Sequence, residues 1–287
     1  MRLLLLYCLL VGLFACRNRG IQEAGQQLNA SVLSALPGQV NWNTNLLLAY
    51  LSKLAYEPKE IFKEATNKLS LNYWGEVQFE SDRGYIVGGD DFLIVAFRGT
   101  ALNVNDIMID SRSFYGKYQN GFAHNGFIAE YAKLKDFLFQ SIGEIGKRFP
   151  QPPKLWFTGH SLGGALAHLA AYDFIEKKAN VAGLVSFGSP RVFGRGGDYF
   201  KIVIPHHQRF VFGNDIITNL PGPIFYAHSG QIIYFTSECD VKGEEDGWMP
   251  FMSRAAKQMP VSQLVNFKGV KDHRIINYIQ CLERLDK

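Results

Sequence analysis

The sequence of 287 residues has no run of lysine or arginine, and its formal net charge is only +4. Proteins that bind the phosphate backbone of nucleic acids concentrate positive charge in a patch or stripe. We therefore expect no nucleic-acid partner. The chain has only four cysteines and contains neither a Cys-x-x-Cys nor a His-Glu-x-x-His motif. These spacings are typical of metal sites, so neither a metal nor a cofactor is predicted.

The N-terminal apolar stretch is too short to cross a bilayer, which takes about 20 apolar residues. Arg2 precedes an apolar run from Leu3 to Ala15, a pattern typical of a secretory signal peptide over residues 1–15. The small Ala15 directly before Cys16 resembles the cleavage site of a bacterial lipoprotein, which predicts a lipidated Cys16 and a membrane anchor. Ordinary signal cleavage near Ala15 is the alternative. Export is expected in both cases, either to the cell envelope or outer membrane as a lipoprotein or as a freely secreted protein.

The rest of the chain predicts one α/β domain behind a tether. Residues 16–41 are polar and rich in glycine, asparagine and glutamine, whereas residues 42–287 contain neither repeats nor a clear linker. Hydrophobic periodicity predicts strands at 85–87, 92–97, 154–158, 181–187, 209–212 and 231–236, and helices at 126–149, 162–174 and 272–284, with a further helix after Asn45. Strands that alternate with helices indicate a mostly parallel central sheet with helices on both faces, as in an α/β-hydrolase.

The two cysteines beyond the signal region leave one question open. Because export makes disulfides possible, Cys239 and Cys281 form a disulfide in one interpretation and are separate buried thiols in the other. Spacing alone does not decide between them.

The sequence Gly-His-Ser-Leu-Gly-Gly at residues 159–164 carries the strongest functional signal. It joins an apolar strand to a helix rich in alanine and leucine, which is the context of a nucleophile elbow. Glycines two residues on either side of Ser161 allow the tight turn that exposes its hydroxyl. Ser161 is therefore predicted to be a catalytic nucleophile.

A serine nucleophile needs a base and an orienting carboxylate, which follow it in the order acid, then histidine, in this architecture. Asp215 comes just after the predicted strand at 209–212 and is the favoured acid, whereas Asp198 and Asp246 lie in charged or glycine-rich loops. Of the seven histidines, His273 and His228 both follow Asp215. His273 is favoured because it stands at a predicted loop-to-helix junction.

These segments together resemble the class 3 (fungal-type) lipases over roughly residues 42–280. The resemblance rests on Phe-Arg-Gly-Thr at 97–100, the elbow, Phe-Gly-Ser-Pro-Arg-Val at 187–192, Asn-Asp at 214–215 and Asp-His at 272–273. It implies a catalytic triad of Ser161, Asp215 and His273. It also implies an oxyanion hole formed by Thr100 and the backbone N–H of Leu162. The chain departs from the family pattern after Val192, where Phe193 and Gly194 replace a Gly-Asn pair and predict a reshaped loop.

The resemblance further implies a short lid at residues 102–114, with the apolar residues Ile107, Met108 and Ile109. The alternative is that these three residues form a buried turn of helix. The predicted function is hydrolysis of lipid esters at a lipid–water interface, as by a triacylglycerol lipase. The alternatives are a phospholipase A1, a general carboxylesterase and a noncatalytic relative that binds lipid or a partner.

Overall fold

The computed structural model describes residues 33, 40–79, 82–99, 115–242 and 267–285. Six α-helices lie within these residues: α1 (Trp42–Leu54), α2 (Lys59–Lys68), α3 (Asn125–Gly146), α4 (Leu162–Glu176), α5 (Phe267–Asp272) and α6 (Ile275–Leu285). The strands are β1 (Asn72–Phe79), β2 (Asp82–Gly88), β3 (Phe92–Phe97), β4 (Tyr115–Tyr118), β5 (Gly121–His124), β6 (Lys154–His160), β7 (Val181–Phe187), β8 (Phe193–Gly194), β9 (His206–Phe212), β10 (Tyr226–Ala227), β11 (Gln231–Phe235) and β12 (Val241–Lys242).

The described strands form two sheets. The larger has eight strands in the order β1-β2-β3-β6-β7-β9-β11-β12. Its centre, from β3 to β11, is parallel, and antiparallel strands complete both edges. The smaller sheet is antiparallel, in the order β10-β8-β5-β4. The predicted mostly parallel sheet is therefore confirmed.

Helices cover both faces of the larger sheet and bury two hydrophobic cores. Helices α3 and α4 pack on one face, together with Val95, Phe157 and Leu184. Helices α1, α2 and α6 pack on the other face, together with Ile94, Trp156 and Val185. Consecutive residues of one strand face opposite cores, which explains why the central strands are apolar along their whole length.

The sequence predicted the central elements well and the peripheral ones poorly. Strand β6 continues to His160, and β9 begins three residues earlier than predicted. Strands β1, β4 and β5 and helix α2 had not been predicted. The closing helix predicted at 272–284 is α6, which begins only at Ile275, and a separate short helix, α5, ends at Asp272. His273 lies in the break between the two helices.

The predicted signal peptide, nearly all of the predicted tether and the predicted lid lie outside the described residues. No helix among the described residues is long and apolar enough to span a membrane. Cys239 and Cys281 are joined by a disulfide, which decides between the two interpretations of these cysteines. The bond connects the turn after β11 to helix α6.

Candidate active site

Ser161 lies at the sharp turn between β6 and α4. Its backbone has φ 60° and ψ −129°, a conformation that costs a residue with a Cβ of the order of 1–3 kcal/mol. The turn is supported because the Ser161 N–H donates to the carbonyl of Phe187 on β7, at 3.0 Å. A strained serine between a central strand and a buried helix has the geometry of a nucleophile elbow.

The flanking glycines are required by close packing. A Cβ at Gly159 would overlap the backbone of Gly163, and one at Gly163 would overlap the carbonyl oxygen of Phe97 at the end of β3. The first turn of α4 therefore packs directly against residues 97–99. Any larger side chain at either position would push the helix away from the sheet.

Asp215 and His273 are in direct contact. Both carboxylate oxygens of Asp215 lie 2.9 Å from Nδ1 of His273. The Asp215 side chain is fully buried, and that of His273 is 13% exposed. With its hydrogen on Nδ1 and donated to Asp215, the neutral imidazole keeps an unprotonated Nε2 that can accept a proton.

Two further groups hold the Asp215 carboxylate. The backbone N–H of Ile217 donates to Oδ1 at 2.9 Å, and the hydroxyl of Tyr278 donates to Oδ2. Burial, and next the charge of Asp215, raise the pKa of Tyr278 well above its usual value, so the phenol keeps its proton. The sequence did not indicate Tyr278, because only the packing of α6 against β9 brings it to Asp215.

The turns that carry the acid and the base are joined to each other. Asp272 Oδ2 accepts from the backbone N–H of Asn214 at 2.8 Å. Gly188 contributes through its small size, because a Cβ there would lie 2.7 Å from Asp215 Oδ2 and 3.0 Å from His273 Nδ1. Its φ of 58° also favours glycine. The Phe-Gly-Ser-Pro segment of the sequence thus borders the contact between Asp215 and His273.

His160 links the elbow to the backbone of His273. Its Nε2 lies 2.6 Å from the His273 carbonyl oxygen, and its Nδ1 lies 2.9 Å from the hydroxyl of Tyr56. Because a carbonyl only accepts, Nε2 must donate, and Nδ1 accepts from Tyr56. Burial lowers the pKa of His160 well below its usual value, in keeping with a neutral ring. The backbone N–H of Gly99 donates in turn to Tyr56.

The predicted oxyanion hole is described only in part. Leu162 is the first residue of α4, where backbone N–H groups have no carbonyl partner within the helix. Thr100 lies outside the described residues, but its neighbour Gly99 packs against the elbow. A Cβ at Gly99 would come within 2.6 Å of the His160 carbonyl oxygen.

The alternative candidates for the base and the acid are not in contact with each other in the described residues. His228 Nε2 donates to the Thr218 carbonyl at 2.8 Å, and its pKa is lowered first by burial and then by nearby arginines. Asp198 is in an exposed 3₁₀ turn, where it pairs with Lys201. Asp246 lies outside the described residues. No group of three histidine, cysteine, aspartate or glutamate side chains suited to a metal occurs in the described part of the chain.

Comparisons with known proteins find similarity to lipases and to a phospholipase. Residues 94–225 match the family model described as lipase (class 3). A lipase of Rhizomucor miehei is 30% identical over 119 residues, which are 39% of this chain and 32% of the relative. The chloroplastic phospholipase A(1) DAD1 of Arabidopsis thaliana is 28% identical over 155 residues, which are 46% of this chain and 34% of the relative. The chain thus spans about a third of the length of these relatives.

Solved structures share the fold. The native propeptide complex of the Rhizomucor miehei lipase aligns with a TM-score of 0.63 at 19% identity, covering 85% of this chain and 86% of that chain. A triacylglycerol lipase whose catalytic centre is formed by a serine protease triad aligns with a TM-score of 0.62 at 22% identity, covering 78% and 94%. At these identities the likeness establishes an α/β fold with the mostly parallel sheet of the fungal lipases.

Proposed function

We propose that this chain, whose residues 94–225 match the family model of the class 3 lipases, is a serine ester hydrolase acting on lipid esters. Ser161 is the proposed nucleophile, His273 the base and Asp215 the carboxylate that orients the base. The observation that carries the proposal is the junction at the elbow. The residue before the strained Ser161 is hydrogen-bonded to the backbone of a histidine that is itself held by a buried aspartate.

The proposed reaction begins when His273 Nε2 takes the proton of the Ser161 hydroxyl as its oxygen attacks the ester carbonyl. Asp215 keeps the hydrogen on Nδ1 and stabilises the imidazolium that forms. The tetrahedral oxyanion is held by the backbone N–H of Leu162 and by Thr100. His273 then protonates the leaving alcohol, and water repeats the sequence to release the fatty acid.

The preferred substrate is proposed to be an acylglycerol, with phospholipids as the second candidate. The lipase of Rhizomucor miehei supports the first and the Arabidopsis phospholipase A(1) the second, at nearly equal identity. Release of fatty acid from triacylglycerol emulsions and from phospholipid vesicles by the same preparation compares the two directly.

The test of the enzymatic activity is hydrolysis of a soluble chromogenic acyl ester. Ser161→Ala and His273→Ala should each lower kcat by roughly 10⁴-fold or more without unfolding the protein, and the double variant should be no worse than either, because the triad acts as a unit. His228→Ala is the matched control and should keep appreciable turnover. Activity in His273→Ala together with loss in His228→Ala would show that the base is assigned wrongly. Absence of turnover in the wild type would indicate a noncatalytic binding protein, and full activity of Ser161→Ala would show that Ser161 is not the nucleophile.

We further propose that the protein is exported. The Cys239–Cys281 disulfide supports this, because such bonds persist in oxidising compartments. Relatives named secreted mono- and diacylglycerol lipases occur in Gibberella zeae and Penicillium species, at 27–29% identity. Lipidation at Cys16 is tested by detergent partitioning of wild type and Cys16→Ser after expression in a bacterial host. Recovery of both in the soluble fraction would leave only the simple secretion signal.

A further inference from the structure

The outer face of the smaller sheet carries a cluster of apolar side chains. We call it the aromatic face and define it by Tyr115, Phe122, Ile224, Phe225 and Tyr226. The ring of Tyr115 contacts Phe122 and Phe225 edge-on, each with centroids 5.8 Å apart, and stacks on Tyr226 at 5.0 Å. Three of the five side chains project into solvent: Phe122 is 53% exposed, Phe225 59% and Ile224 73%.

Backbone packing keeps this cluster together. A Cβ at Gly194 on β8 would lie 3.0 Å from the ring of Tyr115 and 3.3 Å from Cβ of Phe122, so glycine allows these two side chains to close over the strand. The carbonyl of Phe225 accepts from the backbone N–H of Arg195 at 2.9 Å, which fixes the segment beside β8. Exposed aromatic rings held in one orientation lose little conformational freedom when they bind.

Two cations border the aromatic face. Lys117 is opposite Phe122 in the β4–β5 register and therefore points to the same side of the sheet. The Nε of Arg195 donates to the carbonyl of Pro223 at 2.8 Å, two residues before Phe225. Both side chains are exposed, and no ion pair within the described residues involves either of them.

The aromatic face is connected to the candidate active site through the chain. Strand β4 begins directly after residues 102–114, the segment predicted to be the lid. On the other side, β8 follows the segment of Ser189, whose Cβ would lie 2.8 Å from a Cβ placed at Gly164 on the elbow helix. The segment that packs against the elbow helix at Ser189 thus leads, four residues later, into strand β8 of the aromatic face.

We propose that the aromatic face docks the protein on an anionic lipid surface, a proposal that rests on the lipid-ester substrate proposed above. Amphipathic and aromatic side chains that enter the boundary between headgroups and acyl chains, with cations beside anionic headgroups, are the combination that gives interfacial binding. A second copy of the chain fits less well. In a symmetric dimer through this face, the two bordering cations of one copy would be brought close to those of the other, with like charges opposed.

Binding is measured with the catalytically silenced Ser161→Ala protein, by cosedimentation with vesicles of diether phosphatidylcholine, with and without diether phosphatidylglycerol. Phe122→Ser and Phe225→Ser should each lower the partition coefficient roughly ten-fold. Lys117→Gln and Arg195→Gln should each lower it roughly five-fold on the anionic vesicles and leave binding to the neutral ones unchanged.

Phe137→Ser is the matched control, because Phe137 is 52% exposed but lies on α3, outside the aromatic face. It should bind vesicles like the parent. A second measurement keeps an apolar group at each position and uses tryptophan fluorescence. The indole added in Phe122→Trp should emit at shorter wavelength when vesicles are present, whereas the indole added in Phe137→Trp should not change.

The proposal is overturned if Phe122→Ser binds like the parent, or if Phe137→Ser weakens binding equally. It is also overturned if Phe122→Ser dissociates a dimer, since the face then binds a second copy. A second assay separates failure of the docking proposal from failure of the proposed function: the same variants, with Ser161 restored, are tested for turnover of a soluble ester. Loss of vesicle binding with normal soluble turnover affects only the docking surface, whereas absence of all turnover in the wild type affects the enzyme assignment.

Discussion

The imidazole of His160 donates through Nε2 to the backbone carbonyl of His273 at 2.6 Å. The residue before the proposed nucleophile therefore holds the backbone of the proposed base. On its other side the ring accepts from Tyr56, and Tyr56 accepts from Gly99, the residue before the predicted oxyanion donor Thr100. Hydrogen bonds thus connect the neighbour of the proposed nucleophile, the backbone of the proposed base and the residue before the predicted oxyanion donor.

His160→Phe should lower kcat for a soluble ester by roughly ten- to hundred-fold, with a smaller change in KM. Without the donor the His273 backbone can shift, and a displacement of about 1 Å in a catalytic group is enough for a loss of this size. His160→Gln keeps an N–H donor at similar reach and should recover most of the rate. Kinetics of the two variants, with their urea unfolding curves, provide the measurement.

Tyr56→Phe should have a smaller effect of the same kind. It removes the donor to His160 Nδ1 but leaves the bond from Nε2 to His273. In a double-mutant cycle Tyr56→Phe should add little to His160→Phe, because both act through one chain of hydrogen bonds. Additive losses in kcat would contradict the proposed connection.

Tyr278→Phe should lower both kcat, by roughly ten-fold, and the free energy of unfolding, by about 1–3 kcal/mol, because a buried carboxylate loses a donor. Tyr172→Phe serves as the control. Tyr172 is as deeply buried, but its hydroxyl donates to the carbonyl of Tyr199, at 2.9 Å. Tyr172→Phe should lower the free energy of unfolding but leave kcat unchanged. If both variants lower kcat equally, Tyr278 has only a structural role.

Reduction of the Cys239–Cys281 bond should lower the free energy of unfolding by about 2–4 kcal/mol. The bond closes a loop over a sequence separation of 42 residues and ties α6, which carries Tyr278, to the turn after β11. The measurement is the urea midpoint with and without dithiothreitol. The double variant Cys239→Ser/Cys281→Ser lacks the bond, so its midpoint in both conditions should be close to that of the wild type with dithiothreitol. A wild-type midpoint that is insensitive to the reductant would contradict this expectation.

Stability should fall as the pH drops below about 6.5, where unfolded histidines gain protons. Burial lowers the pKa of five histidines, to about 4 for His168 and His206 and well below the usual value for His160, His207 and His228. Below the unfolded pKa the unfolded state binds more protons than the folded state, so the unfolding free energy decreases until the folded histidines also protonate. The upper limit is roughly 1.4 kcal/mol per pH unit for each histidine.

Urea unfolding at neutral and at mildly acidic pH measures this dependence. His168 Nδ1 donates to the Gly164 carbonyl at 2.7 Å, and His168→Gln keeps a donor while removing the titration. This variant should show a weaker pH dependence than the wild type. An unchanged dependence would mean that His168 contributes nothing to it.

Thr100→Val should lower kcat more than it raises KM, since a contact made only in the transition state has this effect. The loss should stay below about a hundred-fold, because valine keeps the backbone N–H that supplies part of the hole. An unchanged kcat would show that the Thr100 hydroxyl is not a donor.

The elements around the elbow could be predicted because their signals are local. Ser161 and its flanking glycines lie within five residues of one another. The strand and the helix beside them are buried on both faces, so their continuous apolar runs are visible in the sequence. Strands β4 and β5, four residues each, and the two-residue β8 and β10 were missed. They are too short for a periodic pattern. Strand β4 pairs with the adjacent β5, whereas β5, β8 and β10 are stabilised by pairing between segments that are distant in the chain.

The sequence by itself determined the strained turn at Ser161, because a turn between a buried strand and a buried helix needs glycines at fixed neighbouring positions. It also favoured Asp215 and His273 from their places along the chain. Only the tertiary structure brought His273 rather than His228 to Asp215, since that choice depends on where the break between α5 and α6 lies against β9. The disulfide and the roles of Tyr56, His160 and Tyr278 were likewise decided by packing. Their partners lie 42 to 113 residues away along the chain, and no local pattern encodes such distances.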